Sequence, residues 1–338
     1  MKNNKVTLTD IANDLGVSKT LVSLVLNGKG DASSINKETQ RKVFEKAEQL
    51  QYKPNHLARG LRMGKTKTIG LLVADISNPF YARITRTIEH YAELEGYSLI
   101  VCSSDEDQER ERRLVRTLTN RQVDGIIMCS TLEDPDLIKQ MIAENFPLVL
   151  FDRYFPGINA NYVGVDNFSA AKTAINHFIN NGHKNIGLIT LTPNYISPLK
   201  DRKNGYLEAI EQSEINSSNT YILELNYHDL KKKHYDQIKD FISNNRDLTS
   251  IFTTNNSLAV GCMVAIRELG LKIPEDISLI TFDDVELFNF TSPSLSSIAQ
   301  PLEEIGKIAV SSLLSQLKEG ESKSKEVVLE ASLIIRES

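Results

Sequence analysis

The chain lacks tryptophan altogether, and its 338 residues hold only 3 cysteines and 7% aromatics. Cys102, Cys129 and Cys262 each lie inside an apolar run, with neither paired nor metal-ligand spacing. A disulfide framework and a thiolate metal site are thereby excluded, and the three are expected as reduced core residues. No run of about 18 apolar residues occurs, so no membrane span is expected. The opening MKNNKVTLTD has no apolar signal core, which points to a cytoplasmic protein. Motifs of catalysis are missing as well. No Gly-x-Gly-x-x-Gly follows the first strand, and there is no Walker-type loop, Gly-x-Ser-x-Gly elbow or His-Glu-x-x-His. The 6 histidines are scattered. No catalytic residue, metal ligand or cofactor is therefore expected, and the protein is not read as an enzyme.

What is present begins with charge. Residues 1–67 carry 13 Lys/Arg against 6 Asp/Glu, a balance of +7, while the remainder stands at −12 within a total of −5. A basic head on an acidic body suits a chain that attracts phosphate at one end only. That head contains Leu8 to Asn27, LTDIANDLGVSKTLVSLVLN, where two short helical patterns meet at Gly16. Ala12 is small enough for helix contact, and Gly16 accepts a left-handed turn without a Cβ penalty. Ile11, Leu15, Val17, Val22 and Val25 supply inner faces. Ser18 can cap the second helix. This spacing predicts a helix-turn-helix whose second helix starts near Lys19 and enters a DNA groove.

A third helix is expected from an Asn36 cap through Gln51, with Val43, Phe44, Ala47 and Leu50 inward. Pro54-Asn55 ends it. The short segment HLARGLRM follows, with Leu61 between Arg59 and Arg62, and reads as a hinge helix entering the minor groove. From Thr68 onward, buried strand patterns alternate with amphipathic helices in two successive sets. Parallel sheets covered on both faces produce this pattern. The expected fold is α/β: a three-helix helix-turn-helix domain followed by two doubly wound lobes. A late helix, Leu302 to Glu319, and the strand-like VVLEASLII are expected to join sheets already built.

Lobes of this kind bind ligands beyond the C-terminal ends of their strands. The polar residues there are Asp75, Asp105, Asp152, Arg153, Asp166, Asn255, Asn256, Asp283 and Asp284. Carboxylates, amides and an aromatic neighbour suit a hydroxyl-rich or heterocyclic small molecule. Strand-end capping accounts for several of them equally well.

These motifs together resemble the lactose-repressor family of bacterial transcription regulators over essentially the full length. The similarity runs through the N-terminal TDIANDLGVSKTLVSLVLN, Pro54-Asn55 with Ala58-Arg59-Gly60-Leu61, and Thr68 to Leu72. It continues through Ser77-Asn78-Pro79-Phe80, Val123 to Ile127, Gly182 to Gly187, Ile273 to Ile280 and the closing Ile335 to Ser338. The resemblance implies lobes like those of periplasmic binding proteins and a homodimer on a pseudo-palindromic operator. Leu61 of both subunits would wedge into the central step. A small-molecule effector between the lobes would control DNA affinity, a sugar or sugar derivative being preferred over a nucleobase or sugar phosphate.

The implied DNA contacts are Thr7, Ser18, Lys19, Thr20, Ser23, Leu24, Asn27, Arg59 and Leu61, with Lys2 and Lys5 as further phosphate partners. Phe80, Tyr81, Asp166, Arg202 and Asp283 carry over from the family's effector site, and Arg153 and Asn256 join them. Two departures stand out. Asn256 replaces a usual Asp, and Leu24 replaces a basic or ring side chain, offering a thymine methyl contact instead of a hydrogen bond. The expected domains are 1–53 for the head and 54–67 for the hinge. One lobe comprises 68–166 and 298–327, and the other 167–297 and 328–338. A periplasmic solute-binding protein would need a signal peptide, an enzyme would need a nucleophile or cofactor loop, and an architectural DNA protein would leave the lobes unused.

Overall fold

Local capping decides where the first three helices begin. Helix α1 spans Leu8–Leu15, α2 Lys19–Leu26 and α3 Lys37–Gln49. The computed structural model describes residues 6–52, 65–213, 220–227, 234–319 and 324–338. Two compact units divide the chain, 1–66 and 67–338. In the first, Ser18 Oγ accepts from Leu21 N and Asn36 Oδ1 from Glu38 N, satisfying N–H groups that the helices leave open. Gly16 closes α1 at φ 63, and the following Val17 N returns to Ala12 O. The small core is Ile11, Ala12, Val22, Val25, Val43 and Ala47.

Phe44 departs from expectation: it is 50% exposed. Val43 and Ala47 are four apart and share the inner face, and the next residue sits about 100° round the helix. The hinge reading, with Arg59 and Leu61, falls outside the described residues, as do Lys2 and Lys5.

Among the described residues, the second unit holds two six-stranded sheets. In the first, β1 (Thr68–Val73), β2 (Ser98–Ser103), β3 (Gly125–Met128), β4 (Leu148–Phe151) and β5 (Asn161–Val165) are joined by β11 (Glu326–Leu329). Their order is β11-β5-β4-β3-β1-β2, and every pairing is parallel. The second contains β6 (Ile186–Thr192), β7 (Tyr221–Asn226), β8 (Ser250–Thr253), β9 (Ser278–Phe282), β10 (Ser296–Ala299) and β12 (Ser332–Ile334). Its order is β12-β10-β9-β8-β6-β7, with only β12 antiparallel.

β10 has no apolar run to announce it, yet Ser296 and Ser297 are buried. It lies wholly in the second sheet, so the chain returns to the first lobe after Ala299 and leaves it again after Leu329. The helices are α4 (Pro79–Leu94), α5 (Gln108–Asn120), α6 (Asp136–Ala143), α7 (Asn167–Asn180), α8 (Ser197–Glu211), α9 (His234–Asn244), α10 (Asn256–Glu268) and α11 (Leu302–Glu319). Cys129 and Cys262 are buried and Cys102 half-buried, all three as free thiols.

Helices α7 and α8 pack so closely that a Cβ on Gly205 would strike the carbonyl oxygen of Phe168. Backbone cannot rotate aside as a side chain can. Gly205→Ala is expected to cost about 1–3 kcal/mol, visible as a drop of several degrees in a thermal unfolding scan. The same interface holds Arg202 against Asn167, so effector affinity should fall with it.

Candidate functional site

On the head, Lys19 and Thr20 are exposed, Ser23 and Leu24 half-buried and Asn27 exposed, while Val22 and Val25 face the core. Positions 19, 20, 23, 24 and 27 repeat at helical spacing and form one outer face. Asn27 Nδ2 donates to Ser23 O at 2.6 Å and Ser23 Oγ at 3.3 Å, which fixes the amide at the end of that face. Ser18 caps its start. Thr7 is exposed at the start of α1, where its backbone N–H and hydroxyl both donate to the Asp10 carboxylate. These bonds hold the Asp10 carboxyl below the usual range.

The second unit has an open crevice, with about 610 Å³ of empty space counted out into solvent, where the C-terminal strand ends of the two sheets meet. In each sheet, β1 or β6 lies between strands reached by crossovers in opposite directions, and a crevice opens there. Phe80, Tyr81, Arg153, Arg202 and Asp283 all line the cavity, together with Asp75, Glu106, Asp152, Tyr227, Asn255 and Gln300. Leu191, Ile196, Pro198 and Leu199 give it an apolar wall. Two of the seven sequence-derived positions do not line it. Asp166 caps α7 by accepting from Ser169 N. Asn256, buried at the start of α10, donates to Asn78 Oδ1 at 2.9 Å.

The two sheets present equivalent corners. β4 ends at Phe151 and β9 at Phe282, and the aspartates that follow them, Asp152 and Asp283, are left-handed, with φ 63 and φ 72. Aspartate tolerates that conformation better than most residues, and the sharp exit aims each carboxylate into the crevice. Asp152 Oδ2 accepts from Tyr81 at 3.1 Å. Asp283 Oδ1 accepts from Gln300 Nε2 at 2.7 Å. Burial pushes the Asp283 carboxyl up to about 6, against the pull of the Arg202 guanidinium and the Gln300 amide.

Both arginines are held by the protein itself. Arg153 forks onto Glu106 at 2.5 and 2.8 Å, the bidentate geometry that guanidinium favours. Arg202 lies 3.5 Å above the Phe282 ring, with Nε on Asn167 Oδ1 at 2.8 Å and Nη1 on Thr254 O at 2.6 Å. Direct bonds also cross between the lobes, including Tyr227 to Asp75 at 2.6 Å, Gln108 to Tyr195 at 2.9 Å and Arg83 to the Asp284 carbonyl at 2.8 Å.

Glu106, Tyr227 and Gln300 escaped the sequence reading as site residues. Tyr227 directly follows the strand YILELN, so the strand-end rule could have found it. Gln300 follows β10, the strand without an apolar signature. Only the fold brings Glu106 to Arg153.

Residues 7–55 match the description "Bacterial regulatory proteins, lacI family", and residues 175–338 match "Periplasmic binding protein-like domain". The ribose operon repressor of Haemophilus influenzae is 34% identical over 98% of each chain. The Lac repressor dimer bound to operator and the anti-inducer ONPF superimposes with a TM-score of 0.86, at 26% identity over 99% of each chain. A LacI family transcriptional regulator from Enterococcus faecium with bound ribose gives a TM-score of 0.72 at 28% identity, covering 80% of this chain and 98% of the other.

Proposed function

This chain belongs to the lacI family of bacterial regulatory proteins, and from that premise we propose that it is a cytoplasmic, non-enzymatic repressor whose effector is an uncharged sugar. It is a sequence-specific DNA-binding regulator with a small-molecule effector bound between its lobes. Two copies bind a pseudo-palindromic operator, each laying Lys19, Thr20, Ser23 and Leu24 toward base edges, with Ser18 and Asn27 near phosphate. Arg59 and Leu61 belong to the proposed hinge at 54–67, behind a head at 1–53. The lobes are read as 68–166 with 298–327, and 167–297 with 328–338. Sheet membership argues for moving the two late boundaries to 300 and 330.

Charge in the cleft carries the choice of effector. Four carboxylates, Asp75, Glu106, Asp152 and Asp283, face two guanidiniums, Arg153 and Arg202. Arg153 is already neutralised by Glu106. Asp152 and Asp283 each have one oxygen without a protein donor among the described residues. Ligand hydroxyls supply donors to such acceptors, whereas a phosphate would add charge of the same sign. Phe80 and the apolar wall suit the less polar face of a sugar ring. The ribose operon repressor among the relatives, and the ribose seen in a related structure, make pentoses the first probes.

The test pairs D-ribose with D-ribose 5-phosphate and a panel of other neutral and phosphorylated sugars, scored by thermal shift on the full chain. The stabilising sugar is then added during anisotropy titration of an operator selected from random DNA. A neutral sugar should raise the unfolding temperature and change operator affinity by about 5–150-fold, in a direction that separates inducer from corepressor. Stabilisation by phosphorylated sugars alone would overturn the charge argument.

A further inference from the structure

We propose that Tyr195 is a positioning residue for the effector, latching the cavity-lining loop 193–196 of the second lobe onto the first lobe. Thr192, Pro193 and Ile196 line the cavity, and Tyr195 does not. Its hydroxyl reaches the other lobe instead. It accepts from Gln108 Nε2 at 2.9 Å and donates to the Thr131 carbonyl at 3.4 Å. One phenol therefore has both its donor and acceptor engaged across the crevice.

The receiving side is held by a buried carboxylate. Glu111, a fully buried carboxylate in the first turn of α5, accepts from Ser130 Oγ, Thr131 N and Thr131 Oγ1, each at 2.5 Å. It thereby ties the exit of β3 to the helix that carries Gln108. Gln108 is also fixed, since its Oε1 accepts from Glu133 N at 3.3 Å. Ser130 O in turn accepts from Arg153 Nη1, so the latch shares its anchor with the floor of the site. A second phenol of the same lobe, Tyr227, donates to Asp75, but Tyr227 lines the cavity and can touch a ligand. Tyr195 acts only through its loop. Releasing it opens the wall formed by Pro193 and Ile196, which speeds ligand departure without removing any ligand contact.

The latch itself is independent of what binds; its effect on ligand exchange rests on the sugar reading above. The experiment measures amide hydrogen exchange of the ligand-free full chain for wild type, Tyr195→Phe, Gln108→Ala and the double variant. Each single variant should exchange about fivefold faster over residues 194–197, with helices α1 and α2 unchanged. The double variant should be no faster than the faster single, because both changes remove one shared interaction. Unchanged exchange in both singles, or multiplying effects in the double, would overturn the latch. Stopped-flow release of D-ribose is the second arm, with an off-rate expected to rise about fivefold in Tyr195→Phe. If D-ribose and the neutral panel all fail to bind the wild type, the sugar reading falls, and hydrogen exchange still decides the latch.

Discussion

Arg202→Ala is expected to abolish the effector response while leaving operator affinity within a few-fold of wild type. Arg202 is 4% exposed, and two of its nitrogens are committed to Asn167 and Thr254. Nη2 has no protein partner among the described residues and is the donor left for the cleft. Removing the guanidinium deletes a charge-assisted donor, worth roughly 1.5–3 kcal/mol for each bond to ligand. It also strands the Asn167 and Thr254 oxygens that it satisfied, and takes the nearest cation from Asp283. A loss of about 100-fold in sugar affinity is expected, with a lower unfolding temperature. The helix-turn-helix lies in the other compact unit, so its own core is untouched.

Arg202→Lys should recover little, because an ammonium cannot hold both oxygens and keep a planar face over Phe282. Calorimetry with the stabilising sugar and anisotropy with operator separate the two outcomes. Unchanged sugar affinity in the alanine variant would remove Arg202 from the site.

The head was the most legible part of the chain because its determinants are local. Ser18, Asn36 and Gly16 act within three or four residues of themselves, and a capping residue means the same thing in any context. Phe44 shows the limit: an apolar residue one step off the inner stripe counts as core by type and as surface by angle. Among the lobes, strands such as Thr68–Val73 were readable because both faces are buried. β10 was not, since its burial depends on neighbours rather than on its own apolarity. VVLEASLII joins both sheets, as its late position suggests, with the division at Glu330 and Ala331 rather than between Val327 and Val328.

The site followed the same division. Strand ends pointed to Asp75, Asp152, Arg153, Asn255 and Asp283, all of which line the cavity. The same rule selected Asp166, which lies outside the cavity lining and uses its Oδ1 to cap its own helix. Sequence position alone does not tell a cap from a ligand group. Resemblance added Phe80, Tyr81 and Arg202, which no periodicity marks. Contacts such as Glu106 with Arg153, or Tyr195 with Gln108, join residues far apart in sequence and follow only from how the lobes pack.

Asp283→Asn is expected to stabilise the ligand-free core near pH 7.5 and to weaken sugar binding at the same time. The folded carboxyl titrates at about 6, against an ordinary value of 3.8, chiefly because burial disfavours its charged form. Between those values the folded chain holds a proton that the unfolded chain has released. Stability therefore falls as pH rises through that window, and the cost of the buried charge is fully present above pH 6. It amounts to at most about 3 kcal/mol, at roughly 1.4 kcal/mol for each pH unit. Asparagine removes the charge, keeps an oxygen for Gln300 and tolerates the φ of 72. Its unfolding midpoint should match wild type near pH 4, exceed it progressively toward pH 6 and keep the gap above. Sugar affinity should fall by about 10-fold, since a neutral amide oxygen is a weaker acceptor than a carboxylate. Thermal scans from pH 4 to 8 test the sign directly, and a gap that narrowed as pH rose would refute it. The variant separates two demands on one side chain, because the buried charge that costs the free protein stability is the charge proposed to hold the effector's hydroxyls.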